Sequence, residues 1–206
     1  MRVEEIKKAR MGQLCLILDG KEFLLNAETV IAAGIAKGTD LDEKSFRELC
    51  RRSDCDRAKS RAMWYVSRAD HSEKALYDKL RRTFPPEAAS YAVARLKELG
   101  LVDDRAYAKR LAANLSEANV SDREIARKLF AKGVPRAIAD EAIEELSPNP
   151  VAQIAELLKT KYRNRLQSED GVRKTYAALI RKGFSYGDVK EALKGYSENL
   201  ENSEEW

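Results

Sequence analysis

Histidine and cysteine are almost missing from this chain: one His and three Cys stand among 206 residues. That scarcity removes most catalytic and metal chemistry. Cys50 and Cys55 lack zinc-site spacing and Cys15 lies in an apolar run, so all three read as reduced thiols of an intracellular protein. His71, the only imidazole, stands beside a helix start, where an exposed or capping role is expected rather than catalysis. There is no glycine-rich phosphate loop. Asp103 and Asp104 precede a helix, and adjacent carboxylates there serve its dipole rather than a metal. Neither a catalytic residue, a metal nor a cofactor is expected, so the chain does not read as an enzyme. Ten Gly and five Pro leave little loop. No apolar run approaches the ~20 residues that span a bilayer. Glu4 and Glu5 sit among Arg2, Lys7 and Lys8 with no apolar segment at once behind them, which argues against a secretory signal. The expected location is cytoplasmic, without a membrane.

What is present is a phrase that returns at a period of about 50 residues, in the range of repeat architectures. It reads KLRRTFPPEAASYAVARL from Lys79, KLFAKGVPRAIADEAIEEL from Lys128 and ALIRKGFSYGDVKEALKGY from Ala178. Each copy is a helix end, a short basic break and a second helix. Leu80, Leu129 and Leu179 fall at equivalent places and are expected to be buried. Gly133 and Gly183 occupy equivalent helix-end positions; the first copy is one residue shorter and has Thr83 there. Tandem units of this kind present a surface rather than a single cleft.

The fold expected is mainly α: three tandem three-helix bundles in an elongated curved array, behind a small amino-terminal α+β hairpin appendage. The boundaries read as 1–57 for the appendage, 58–102, 103–149 and 150–197 for the repeats, and 198–206 for an acidic tail. In the appendage, Asp19-Gly20 between GQLCLIL and KEFLLN is a hairpin signal, with strand confined to about Gln13–Asn26. Ala27–Ala33 reads as a short helix closed by Gly34. Asp42 caps a helix running to about Arg52, with Phe46 and Leu49 inward. From Ala58 on, Met63, Trp64 and Val66 give the first long helix its apolar side; Tyr91, Val93, Leu96 and Leu99 do so after Pro85-Pro86. Ser121 and Glu124 form a capping box. The third repeat opens with a long helix through Leu158, Tyr162 and Leu166.

Three motifs, in this order, carry a resemblance: AMWYVSRADHSEKALYDKL, LKELGLVDDRAYAKRLA and LIRKGFSYGDVKEAL. The chain resembles the RecX family of recombinase regulators from about Ala58 to Tyr196. Ala75, where the family often has Glu, and Thr83, where it has Gly, depart from the pattern. The resemblance implies a protein that binds the RecA-type recombinase filament on single-stranded DNA, with DNA touched directly or through the filament; a monomer is expected. It implies that the protein limits recombinase, ATPase and coprotease activities without catalytic residues of its own. The alternative is an independent DNA-binding helical protein such as a transcription regulator, although no recognition helix opens with several base-reading side chains.

The net charge is +4, yet residues 58–103 carry +3 and residues 151–197 carry +5, which favours an anionic partner. Two sets of bases are candidates for that partner. Lys159 with Arg163, and Lys161 with Arg165, are four apart, so each pair would stack on a helix surface; a merely solvated face is the alternative. Arg81, Arg82, Lys132, Arg181 and Lys182 flank the same break in successive repeats. They would form a discontinuous positive line, or else merely cap helix C-termini.

Overall fold

The computed structural model describes residues 1–10 and 12–204, with side chains to Ser197; of the acidic segment 198–206, residues 198–204 are helical and 205–206 lie outside the described residues. The chain falls into two compact units, Met1–Asp103 and a second beginning at Asp104.

The first unit opens with a three-stranded antiparallel meander, β1 (Val3–Lys8), β2 (Gln13–Leu18) and β3 (Lys21–Asn26), in that order. Asp19 and Gly20 both take positive φ, 45° and 73°, the geometry of a two-residue hairpin turn. The sequence marks β2 and β3 but not β1. Only Val3 and Ile6 are apolar among four charges, and an irregularity between Val3 and Glu5 breaks the alternation. Charge on an edge strand discourages pairing with other chains. The sheet buries Val3, Leu16, Leu18 and Leu25 against α1 (Ala27–Ala32) and the first half of α2 (Glu43–Val66), through Val30, Phe46 and Leu49.

α2 starts where Asp42 caps it, accepting from Ser45 N at 2.7 Å, but it does not stop near Arg52. The polar stretch that reads as a break is instead an anchor. Ser53 is fully buried and its Oγ accepts from Asn26 N at 2.7 Å, while Asp56 accepts the Thr29 hydroxyl at 2.7 Å. One 24-residue helix therefore serves two cores. Its second half packs through Cys55, Ala58 and Ala62 on α3 (Glu73–Leu80) and α4 (Pro86–Glu98). The apolar side of this half differs from expectation: Met63 and Trp64 are 43% and 46% exposed. Small residues decide the face. Ala58 and Ala62 meet a core that takes Ala88, Ala89 and Ala92 from α4, and Trp64 lies about 200° round the helix from Ala62. On α4 the same stripe leaves Tyr91 exposed, and Leu99, at its C-cap, is exposed too.

The second unit holds α5 (Asp104–Glu117), α6 (Asp122–Ala131) and α7 (Arg136–Glu144), then α8 (Pro150–Thr160), a 3-10 turn at Arg163–Arg165, α9 (Glu169–Arg181) and α10 (Tyr186–Glu204). Ile125, Leu129 and Val134 centre the core of α5–α7; Leu158, Leu179 and Phe184 centre that of α8–α10. Leu80, Leu129 and Leu179 are all fully buried. Each offers its carbonyl to the amide of the next buried residue: Phe84 at 2.9 Å, Val134 at 3.1 Å and Phe184 at 3.3 Å. The later two bonds span five residues and pass through Gly133 and Gly183 at positive φ. The first spans four, needs no left-handed residue, and so accommodates Thr83. α8 ends at Thr160, not beyond Leu166, and Tyr162 is buried in the core after it.

Candidate functional site

Within the second unit the start of α6 meets the end of α9. Ser121 Oγ donates to the Lys182 carbonyl at 2.5 Å and accepts from Glu124 N at 3.4 Å. One hydroxyl thus satisfies the N-terminus of one helix and the C-terminus of another, ends whose partial charges attract. Glu124 does not complete the capping box. Its carboxylate takes two bonds from Arg127, at 2.7 and 2.6 Å, and this pairing holds its pKa below the usual range. A second tie joins the helix triplets, from Gln153 Nε2 on α8 to Ser116 Oγ on α5 at 3.1 Å.

This joint walls a groove of about 460 Å³, whose lining includes Asn119, Arg127, Lys128, Arg181 and Lys182. Four bases and the single carboxylate of Glu124 line it, so it is strongly positive. A larger hollow at the start of α2, about 830 Å³, is lined by three acids and three bases. Its charges cancel, with Arg47 on Glu43 and Arg51 on Glu48. Charge therefore singles out the smaller groove as the candidate site for an anionic partner.

The groove brings Arg181 and Lys182 together with Arg127 and Lys128, which the sequence did not single out. Their signal was faint: two adjacent bases on a helix full of charges, at a position not equivalent to Arg181 and Lys182 in the repeat. Lys132, the C-cap of α6, is not among the lining residues. Arg81 and Arg82 are exposed in the first unit. The Arg81 guanidinium donates to the Phe84 carbonyl, which is helix-end capping.

Lys159, Lys161, Arg163 and Arg165 are all exposed, but they do not share one helix. Lys159 is in the last turn of α8, Lys161 caps it, and the two arginines sit on the 3-10 turn. Arg165 lies over the Tyr162 ring at 5.8 Å. Gly171 fixes this turn, since a Cβ there would stand 1.7 Å from the Arg165 carbonyl oxygen. Among the described residues no carboxylate pairs with any of the four bases.

Asp122 adds an acid behind the groove. Its Oδ1 is buried with no partner among the described residues, and burial, then the charge of Asp188 on α10, raises its pKa. Asp188 itself accepts the Ser185 hydroxyl at 2.6 Å. An acid whose pKa is higher folded than unfolded holds its proton more tightly when folded. Its contribution to stability is therefore lost as pH rises through that window. Asp122→Asn should accordingly raise the urea midpoint of the second unit at pH 7, and the gain should shrink as the pH falls towards about 4, the ordinary carboxylate value. A gain that grew on acidification would contradict this reading of the joint.

The thiols offer no competing site: burial raises the pKa of Cys50 and Cys55, which keeps them protonated. Among the described residues no group of three or more His, Cys, Asp or Glu is placed to hold a metal ion. No helix of the described residues is long and apolar enough to cross a membrane.

Comparison with known proteins agrees with this architecture. The family model for the first three-helix domain of RecX matches residues 58–96. Regulatory protein RecX of Streptococcus gordonii is 26% identical over all of this chain and 81% of its own length. That of Caldanaerobacter subterraneus subsp. tengcongensis is 28% identical over 91% of this chain and 95% of its own. A crystal structure of regulatory protein RecX superposes with a TM-score of 0.70 at 25% identity, covering 94% of this chain and 98% of the other. RecX from Lactobacillus salivarius gives 0.59 at 25% identity, over 69% and 96%. Over nearly its whole length this chain is therefore similar, in sequence and in fold, to regulatory proteins of the RecX family, and the family model places that likeness in residues 58–96.

Proposed function

We propose that this protein binds a RecA-type recombinase filament on single-stranded DNA in the cytoplasm, as a monomer, and limits the filament's recombinase, ATPase and coprotease activities. The observation that carries the reading is the positive groove where α6 meets α9, on a chain similar to a family of regulatory proteins. A filament repeats the same acidic side chains and phosphates along its length, and tandem helix triplets repeat a binding face in the same way. The working divisions are the appendage to residue 57, the repeats 58–102, 103–149 and 150–197, and the acidic tail. Arg181 and Lys182 act in the groove with Arg127 and Lys128. Lys159, Lys161, Arg163 and Arg165 supply a second contact. Arg81, Arg82 and Lys132 extend the charge along the repeats.

The test is inhibition of strand exchange and ATP turnover by filaments assembled on single-stranded DNA. Replacing Arg127, Lys128, Arg181 and Lys182 together by Ala should shift the inhibitory concentration at least about tenfold and flatten its salt dependence. Each lost phosphate contact lowers the single-strand salt slope by roughly 0.7. A folded variant with unchanged inhibition would remove the groove from the mechanism. Tight duplex binding without recombinase, and no effect on filaments, would favour a transcription regulator instead.

A further inference from the structure

Trp64 is displayed rather than packed. The core beneath α2 is closed by Ala58 and Ala62, and the indole stands half exposed on the far side of the helix. Two cations flank it, with Arg61 Cζ 5.6 Å and Arg68 Cζ 4.5 Å from the ring. Residues 61, 64 and 68 lie three and four apart, on one stripe of helix and its end. Among the described residues neither guanidinium is paired with a carboxylate. The stripe continues inward through Tyr65, edge-on to Trp64 at 5.3 Å, with Lys79 Nζ 5.1 Å from the Tyr65 ring. Tyr65 also meets His71 edge-on at 6.1 Å, so the base of the platform is braced.

An exposed aromatic ring between unpaired guanidiniums suits one chemistry well. Unpaired bases stack on indole and on guanidinium planes, and the phosphates beside them meet the same positive charge. A paired duplex keeps its bases stacked on one another and offers no free face. A protein partner would draw on the same Trp and Arg, so an acidic polypeptide is the competing occupant that the test must separate.

We infer that Arg61, Trp64 and Arg68 form a stacking platform for a single-stranded nucleic acid, contacted directly by the first unit. This deepens the filament reading by naming a contact to the strand itself, and it can be tested without the recombinase. The chain has two tryptophans, so a full-length Trp206→Phe protein carries Trp64 as its sole indole. Its fluorescence is followed at low salt against an oligothymidylate, an abasic oligomer of equal length, a blunt duplex and polyglutamate.

Oligothymidylate should quench Trp64 and bind more tightly than the abasic oligomer. Trp64→Ala, read by anisotropy of labelled strand, should lose roughly tenfold in affinity for oligothymidylate, about the share of one stacked base. It should lose almost nothing for the abasic oligomer. Trp64→Phe should recover part of the loss, and Arg68→Gln should weaken both oligomers. Equal binding of the two oligomers by the parent protein would overturn the proposal, as would quenching by polyglutamate alone, which points to an acidic protein partner. An unaltered Trp64→Ala protein would do so as well. Failure of the filament reading looks different: the parent protein would leave strand exchange untouched whatever this titration gives.

Discussion

Leu129→Ala should cost the second unit about 3–5 kcal/mol, the upper part of the range for a buried leucine. Leu129 is fully buried, and its cluster is closed by Ala108, Ala112, Ala139 and Ala142. Alanine has no side-chain rotamer with which to reach into a void. The space left by the leucine therefore stays open, and the cavity adds its own cost to the lost burial. The loss should appear as faster amide exchange in α5, α6 and α7. Exchange is the right measure because a chain of two compact units need not unfold in one step. Leu129→Met, nearly equal in volume, should cost less than about 1.5 kcal/mol. A loss below 1 kcal/mol for the alanine variant would mean that Leu129 is not the centre of this core, and the alignment of Leu80, Leu129 and Leu179 would fall with it.

That alignment was visible in the sequence because it rests on the strongest kind of signal, one apolar residue kept at the same distance from a break in three copies. The hairpin turn at Asp19-Gly20 and the caps at Asp42 and Ser121 were visible for a related reason. Each is a short, local preference of the backbone, decided within about four residues. Where the sequence misled, the deciding partner lay far along the chain. Ser53 and Asp56 look like the end of a helix until Asn26 and Thr29 are found against them. β1 has too few apolar residues to declare itself and is held by its pairing to β2. Trp64 looks like core because tryptophan usually is, but the alanines that displace it belong partly to α4.

The candidate site was legible only in part, for the same physical reason. Equivalent positions in a repeat need not be neighbours. Stacking of α8–α10 on α5–α7 sets the end of one helix against the start of another, so Lys182 meets Ser121 and not its counterpart Lys132. Arg181 and Lys182 could be chosen from charge and position. Arg127 and Lys128 could not, since only the packing of α6 against α9 makes them neighbours of the first two. A basic break was thus readable residue by residue, while the groove was not.

The same joint sets the second large effect, at Gly183. Its φ is +95°, and a Cβ built there would stand 2.7 Å from Ser121 Oγ and 3.3 Å from Arg123 Cβ. Gly100, at φ +67°, would place a Cβ with nothing within 4 Å. Gly100→Ala should therefore cost only the left-handed backbone, about 1–2 kcal/mol. Gly183→Ala should cost that and about one hydrogen bond more, roughly 2–3 kcal/mol in all. The extra arises because Ser121 Oγ is tied to both Lys182 and Glu124 and cannot turn aside without releasing a helix end. Ser121→Ala removes the clashing oxygen as well as the bond. The double variant should consequently lose less than the sum of the two single losses, by about 1 kcal/mol. Because Lys182 lines the groove and its carbonyl is tied to Ser121, Gly183→Ala should also weaken filament inhibition, whereas Gly100→Ala, outside the joint, should leave it intact. Additive stability losses with inhibition unchanged would show that Gly183 serves only its own turn, and that the meeting of α6 and α9 does not shape the groove.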